Sequence, residues 1–396
     1  MHTVLFDDWR WNNLLPLTYT RPVSTIRFGI LTIKEKWEHA LKTNCFHHTA
    51  DYLQKKFQQP LENAPCLMIN GGVIPSQTLV NQIKGLSIGE SIAFESTLIA
   101  AVLPKLPDEG FIPTPDSFAK ALAINEKPLE ITSLWDIFSL NGIALELDFE
   151  QLTKGRKSKP LSSTNSFINA DRIFVEEGAR VECAVLNAQT GPIYIGKNAE
   201  VMEGSLIRGP FALCEDSALK LGAKIYGPTT IGPHCKVGGE VNNTVIFGYS
   251  NKAHDGFLGN SVIGEWCNIG ADTNCSNLKN NYAEVRLWNY AKQSFVNTRL
   301  QFCGLIMADH SKCGINTMFN TGTVVGVSAN IFGDGFPRNF IPCFSWGGAQ
   351  GFSIYKLEKA LETAQKVMAR RNIELSDIEI GILTKVFELS AEFRRF

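Results

Sequence analysis

Long hydrophobic runs are missing from this chain of 396 residues: no stretch approaches the roughly 18 consecutive apolar residues of a membrane span. A charge excess of one sign is missing too. The 38 basic and 39 acidic side chains nearly cancel, so no long-range field draws in nucleic acid or an anionic membrane. Among ten cysteines there is no CxxC pair. Neither a zinc site nor a disulfide framework is indicated, and buried thiols in a reducing cytosol fit better. The first residues, MHTVLFDDWRWNN, lack the basic-then-apolar order of a signal peptide and read as a β-strand. These absences predict a cytoplasmic protein without membrane or nucleic-acid partners. Its length suits two or three domains, and its 44% apolar content is that of a globular protein.

What the chain does have is a period of six. Ile195, Val201, Ile207, Leu213, Leu219, Ile225, Ile231 and Val237 stand at strict six-residue spacing. Four places after nearly every one comes a small or slim residue: Ala199, Ser205, Ser217, Ala223, Thr229, Cys235 and Val241, with Phe211 the exception. Six matches neither the 3.6 of a helix nor the alternation of a strand. It matches a left-handed parallel β-helix, whose triangular coil takes about eighteen residues as three short faces, each offering one inward aliphatic. Gly196, Gly232 and Gly238 follow three of the anchors and are expected to take positive φ at tight corners. This architecture points toward acyl transfer.

Alternating strand and helix signals over residues 1–155 predict a three-layer α/β domain. Thr3–Phe6, Cys66–Asn70, Ser91–Phe94 and Leu98–Leu103 read as strands, and Gly29–Leu41 and Asp116–Ile124 as helices. Lys154–Ser163 is a polar, basic linker. The β-helix is expected over residues 170–335, with hexads from about Ile173 to about Ile331. After Val237 the register slips by two; counting from Val245 gives Asn251, Phe257, Ile263 and Ile269. Asn277–Gln301 loses the repeat and reads as a loop thrown out of the coil. Residues 350–396 carry two closing helices, the second opened by the capping-box pattern Ser376-Asp377-Ile378-Glu379. His47-His48 reads as a surface pair on a polar loop, and His310 as a surface residue in a turn of the coil.

His254 is the sharpest chemical candidate. In the shifted register it is the fourth residue of the hexad at Asn251, a position facing out of the coil. An imidazole with an unperturbed pKa near 6.5 can take a proton from an attacking amine or hydroxyl. By residue type alone a solvated surface histidine is the commoner case.

The stretch from Val237 to Asn277 resembles the acetyltransferase half of the bacterial bifunctional family that makes UDP-N-acetylglucosamine, in its divergent Bacteroidetes-type form. The matching residues are Lys252-Ala253-His254, Phe257-Leu258-Gly259-Asn260, Ile263-Gly264, and Asn268-Ile269-Gly270-Ala271-Asp272-Thr273 through Asn277. The resemblance implies that His254 is the general base. It places Asn268 on the aminosugar and Asn277 near the acetyl thioester of acetyl-CoA. This chain departs from the family pattern at Phe257, Asp272 and Leu278, where the family has tyrosine, glycine and tyrosine. Arg208 and Lys224 are candidates for holding the sugar phosphate. The implied assembly is a homotrimer, because sites in this fold class lie in grooves between prisms.

The front domain resembles sugar-1-phosphate nucleotidyltransferases through Val4-Leu5-Phe6-Asp7-Asp8, Leu14-Leu15-Pro16-Leu17-Thr18 and Arg21-Pro22. The family's Gly-rich loop is absent, and Trp9-Arg10-Trp11-Asn12-Asn13 stands in its place. Asn70-Gly71-Gly72 occupies the position of the metal-binding aspartate; a neutral amide is the poorer ligand for Mg²⁺. Asp7 and Asp8, at the carboxyl edge of the sheet, are nucleotide-site candidates, with Asp8 the candidate metal ligand. Arg10 and Arg21 are candidates for phosphate contacts and Asn70 completes the set. The expected function is therefore bifunctional: acetyl-CoA-dependent N-acetylation of glucosamine 1-phosphate by the β-helix, and transfer from UTP with Mg²⁺ by the front domain. The alternatives are a nucleotidyltransferase whose β-helix only trimerises, and a front domain that binds a nucleotide-sugar without chemistry.

Overall fold

A computed structural model describes residues 1–396 apart from 61–63, 109, 111–112 and 119. Part of the Asp116–Ile124 helix expectation thus lies outside the described residues. The chain forms two compact units that do not follow chain order. The first comprises Met1–Leu14, Thr20–Ile26 and Leu31–Ser133; the second comprises Leu15–Tyr19, Arg27–Ile30 and Leu134–Phe396.

The first unit is built on a six-stranded mixed sheet of β1 (His2–Phe6), β2 (Cys45–His48), β3 (Cys66–Asn70), β4 (Glu90–Phe94), β5 (Thr97–Leu103) and β6 (Lys120–Ala123), in the order β2-β1-β3-β5-β4-β6. The central strands β1 and β3 are parallel and read as continuous apolar runs because both faces are covered. Val4, Phe6, Met68, Leu98 and Ala101 pack together as one core cluster. Helix α1 (Ile33–Leu41) starts at a capping box: Glu35 N donates to Thr32 Oγ1 at 3.2 Å, and Thr32 N to Glu35 Oε2 at 2.6 Å. Ser76 caps α2 (Gln77–Lys84).

Two expectations fail in this unit. Residues 116–124 hold a short 3₁₀ turn (Pro115–Ser117) and then β6, because Lys120–Ala123 completes the sheet edge beside β4. His47 and His48 are not surface residues either. They end β2 and are 3% and 5% exposed. His47 Nδ1 lies 3.1 Å from Ser24 Oγ, and burial pushes its pKa down to about 3.

The second unit is the left-handed parallel β-helix, its faces formed by sheets of six, nine and ten strands. All eight anchors are buried to 2% exposure or less and stack coil upon coil, as Leu213 does between Ile195 and Ile231. Each such side chain contributes about 1.5–3 kcal/mol of burial. Helix α3 (Asn141–Thr153) packs on the coil, where Asn141 Nδ2 donates to Pro228 O and Thr230 Oγ1, both at 3.1 Å. Residues 277–301 do leave the coil, as expected, and form an antiparallel hairpin of Arg286–Asn289 with Ser294–Asn297. The coil runs on past Ile331: Phe340–Ile341 pairs with Val324–Val325, and Trp346 with Asn330. Helices α4 (Leu357–Ala369) and α5 (Asp377–Leu389) close the chain, and the Ser376–Glu379 capping box forms.

The register after Val237 needs correction by one residue. Ile231 pairs with Ile246 and Val237 with Lys252, so the inward set is Ile246, Lys252, Leu258, Ile263 and Ile269. Asn251 and Phe257 therefore face outward. A one-residue shift exchanges the two faces of a strand, and an inward lysine hid the shift.

The corner glycines also act otherwise than expected. Gly196, Gly232 and Gly238 do not take positive φ. They allow the next coil to approach: a Cβ on Gly232 would lie 1.6 Å from Phe247 O. Positive φ falls next to Gly238 at Gly239, and elsewhere three residues after an inward anchor, at Asn198, Asp216, His234, Tyr249, Trp266 and His310. Left-handed backbone costs a bulky residue about 1–2 kcal/mol. Stacking of His234 on Tyr249 (4.7 Å) and of Tyr249 on Trp266 (4.3 Å) offsets about 0.5–1.5 kcal/mol per pair. His310, half-buried, extends this ladder.

Candidate functional sites in the coil and in the front unit

His254 sits on the corner after Asn251–Lys252, and its ring is exposed. Three features hold this corner. Below it, Gly238 and Gly239 leave room for the backbone: a Cβ on Gly238 would meet Ala253 O at 2.6 Å, and one on Gly239 would meet His254 O at 2.8 Å. Above it, Asp272 N donates to Asp255 O at 3.0 Å. From inside the prism, Lys252 Nζ donates to His254 O at 2.7 Å and to Gly238 O at 3.1 Å. Lys252 is 2% exposed, and burial pushes its pKa down to about 8. Nothing in the hexad count pointed to this inward cation.

The corner joins two faces of the coil. On one, Asn268 is exposed and pairs by Cα with Asn251 of the coil before. The other begins at Phe257, whose N–H donates to Asn274 Oδ1 at 2.8 Å. At its far end Asn277 Nδ2 donates to Asn260 Oδ1 at 2.8 Å. A cavity of about 420 Å³, lined by Ser276, Leu278, Lys279, Asn320 and Thr321 among others, opens next to Asn277. The structure thus sets His254 between Asn268 and Asn277 rather than in one cluster with both. Lys224 and Arg208 lie on the Phe257 face, two and three coils earlier. Glu240 is the Cα partner of Lys224, and its carboxylate accepts from Tyr226 Oη at 2.6 Å.

In the front unit, Asp7, Asp8, Arg10 and Asn70 converge at the carboxyl ends of β1 and β3. Arg10, 1% exposed, forms ion pairs with both Asp8 and Glu130. Asn70 is saturated: Nδ2 donates to Asp8 Oδ2 at 2.9 Å and to Leu98 O at 3.1 Å, and Oδ1 accepts from Gly72 N at 3.0 Å. Arg21 is 5% exposed. Asp7, Asp8, Trp11, His48, Thr49 and Asp51 line a cavity of about 170 Å³.

These groups satisfy one another. Asp8 is neutralised by Arg10 and bonded by Asn70, so it does not present a vacant carboxylate to a magnesium ion. Among the described residues, no three His, Cys, Asp or Glu side chains gather to hold a metal. The residues as placed do not fit a resident Mg²⁺.

Asp7 accepts from Val23 N at 2.9 Å and from Thr49 Oγ1. Burial still outweighs these bonds and raises its pKa to about 7. A carboxyl whose folded pKa lies above its unfolded value of about 3.9 destabilises the fold as pH rises between the two. Stability of the parent should therefore fall between about pH 4 and pH 7, by roughly 4 kcal/mol at most. Asp7→Asn should flatten that slope and be the more stable protein at pH 8. Urea titrations at pH 5 and pH 8 check this; parallel behaviour of the two proteins would refute it.

No helix among the described residues is long and apolar enough to cross a membrane. Residues 3–157 match the family model described as sugar nucleotidyl transferase. That span runs beyond Ser133 into α3, which packs on the coil. The bifunctional protein GlmU of Rippkaea orientalis is 28% identical over 220 residues, covering 48% of this chain and 47% of the relative. GlmU of Cyanothece sp. is 25% identical over 205 residues, 45% of each chain. A bifunctional sugar-1-phosphate nucleotidylyltransferase/acetyltransferase of Sulfurisphaera tokodaii is 26% identical over 283 residues, 71% of this chain and 61% of the relative. The chain spans about half the length of the GlmU relatives it matches. It is related to these bifunctional proteins at low identity.

Proposed function

We propose that the β-helix is an acetyl-CoA-dependent N-acetyltransferase acting on glucosamine 1-phosphate, and that the front domain handles a uridine nucleotide in the same biosynthesis of UDP-N-acetylglucosamine. The observation that carries this reading is the exposed His254 ring, held on a corner of a three-sided coil whose adjoining face carries Asn268 one coil on. A ring nitrogen of His254 takes a proton from the sugar amine as the amine nitrogen attacks the thioester carbonyl. The tetrahedral oxyanion is stabilised by backbone N–H groups of neighbouring coils. Its collapse breaks the C–S bond, and the proton passes from His254 to the departing thiolate. Asn268 orients the aminosugar and Asn277 the acetyl thioester.

One prism offers these groups on separate faces without a deep cleft between them, which favours a homotrimer with the site in the groove between subunits. A solution mass equal to a single chain would end that part of the reading. The whole is tested by a coupled assay with glucosamine 1-phosphate, acetyl-CoA and UTP. Thiol release is expected; its absence with all three present would retire the acetyltransferase reading.

The mutual saturation of Asp8, Arg10 and Asn70 favours a second reading for the front domain, that it binds the nucleotide without transferring it. Thiol release without pyrophosphate, together with a rise in Tm on adding UTP, would support this. Pyrophosphate release would refute it.

Lys252 tests how the corner is held. Lys252→Met fills the same inward space and removes a buried charge, which offsets the two lost hydrogen bonds. Tm is expected to stay within about 5 °C of the parent. With the His254 carbonyl released, kcat should fall roughly 10–100-fold. Unchanged kcat would show that the corner holds without the lysine.

A further inference from the structure

One face of the coil carries an outward row without a carboxylate. Lys236, Asn251, Asn268, Lys312 and Asn330 are successive Cα partners along it. Adjacent members are separated by the strand spacing of about 4.8 Å. Further toward the start of the coil the same row holds Ala218 and then Glu200, whose carboxylate is taken by Arg180 at 2.8 Å.

At the Lys236 end the chain's own C-terminal segment adds to the charge. Arg371, half-buried just after α4, donates through Nη2 to Asn251 Oδ1 at 3.2 Å. This fixes its guanidinium one coil from Lys236 and one coil from Asn268. Arg371 first, then burial, Lys220 and Arg370, press the Lys236 ammonium toward its neutral form. Cations gathered in this way repel one another, and an arrangement of this kind is stabilised when an anion enters it.

We infer that Lys236 and Arg371, supported by Lys220 and Arg370, form an anion subsite that takes the phosphate of a phosphorylated ligand lying along Asn251 and Asn268. The inference rests on the acetyltransferase reading for the identity of that ligand, and not for the existence of the subsite. It places the phosphate here rather than at Arg208 and Lys224, where Glu240 follows Lys224 in the row. Two ligands of the proposed reaction carry such a group: the sugar 1-phosphate and the 3′-phosphate of CoA.

The test is isothermal titration of the full-length parent, Lys236→Gln and Arg371→Gln with four ligands: glucosamine 1-phosphate, glucosamine, CoA and 3′-dephospho-CoA. Each substitution should weaken binding of one phosphorylated ligand about tenfold or more and leave its phosphate-free analogue unaffected. Loss confined to the sugar phosphate assigns the subsite to the sugar; loss confined to CoA assigns it to the 3′-phosphate. Equal losses for both members of a pair overturn the proposal. So does parental affinity in both variants, or a phosphate-specific loss in Lys224→Gln instead. If the parent binds none of the four ligands, the acetyltransferase reading fails separately. The subsite is then judged with inorganic pyrophosphate, which should raise the Tm of the parent and not of the two variants. A rise shared by all three proteins, or by none, overturns it.

Discussion

His254→Ala should lower kcat for acetyl transfer by roughly 10²–10⁴-fold, the usual contribution of a general base. Tm should remain where it was. The two expectations are separable because the corner is held through backbone atoms: the His254 carbonyl accepts from Lys252 Nζ whatever side chain stands there. The ring is exposed and not packed into the core, so its removal leaves no cavity. KM for the sugar should change little, since contact with the aminosugar is assigned to Asn268. Thiol release followed at saturating acetyl-CoA, beside a thermal melt, measures both quantities. Full thiol release by the variant would end the assignment of His254 as the general base.

Gly232→Ala should cost about 3–5 kcal/mol, among the larger effects of a single methyl group in a folded chain. The added Cβ would lie 1.6 Å from Phe247 O and 2.4 Å from Phe247 C, both backbone atoms of the next coil. Those atoms cannot retreat independently, because Gly232 N donates to Ile246 O at 2.8 Å and sets the spacing between coils. Strain here must spread along the stack or break a ladder bond. Gly381 in α5 is the contrasting case, with nothing within 4 Å of an added Cβ. Gly381→Ala should stabilise by about 1 kcal/mol through helix propensity. Equilibrium unfolding of the two variants decides the matter: a loss below about 1 kcal/mol for Gly232→Ala would contradict the close approach of the coils.

The architecture of the coil was readable because its signal is repetitive and its cause is local. Each aliphatic at six-residue spacing has to point inward for the next coil to stack, so eight anchors in register leave little choice. The reading slipped where a coil shortened. Pattern counting rewards apolar residues, and it chose Val245 over Ile246 because the true register puts a lysine inside. Lys252 is tolerated there only because two backbone carbonyls, Gly238 O and His254 O, meet its ammonium. Carbonyl positions are not visible in a sequence. The corner glycines were misread for a related reason: Gly at a turn suggests positive φ, whereas the demand came from the neighbouring coil.

The front unit was less readable because its strands take their roles from partners distant in sequence. His47 and His48 look like a polar loop until β2 is laid beside β1, where Leu5 and Phe6 pair with them. Asp8, Arg10 and Asn70 each suit an external ligand by residue type. The fold brings them together with Glu130 and lets them satisfy one another. Likewise Arg371 stands 120 residues from Asn251 and meets it only because α4 closes back on the coil.

By itself the sequence determined the stacked coil and marked Thr3–Phe6 and Cys66–Asn70 as strands of the front domain. Each of these follows from side chains a few residues apart choosing between core and solvent. Tertiary structure alone decided which charges stay vacant for a ligand, because an ion pair or a carbonyl cage is completed by atoms from distant segments. That is why Arg10 is occupied, Lys252 is enclosed, and Lys236 is left facing outward near Arg371.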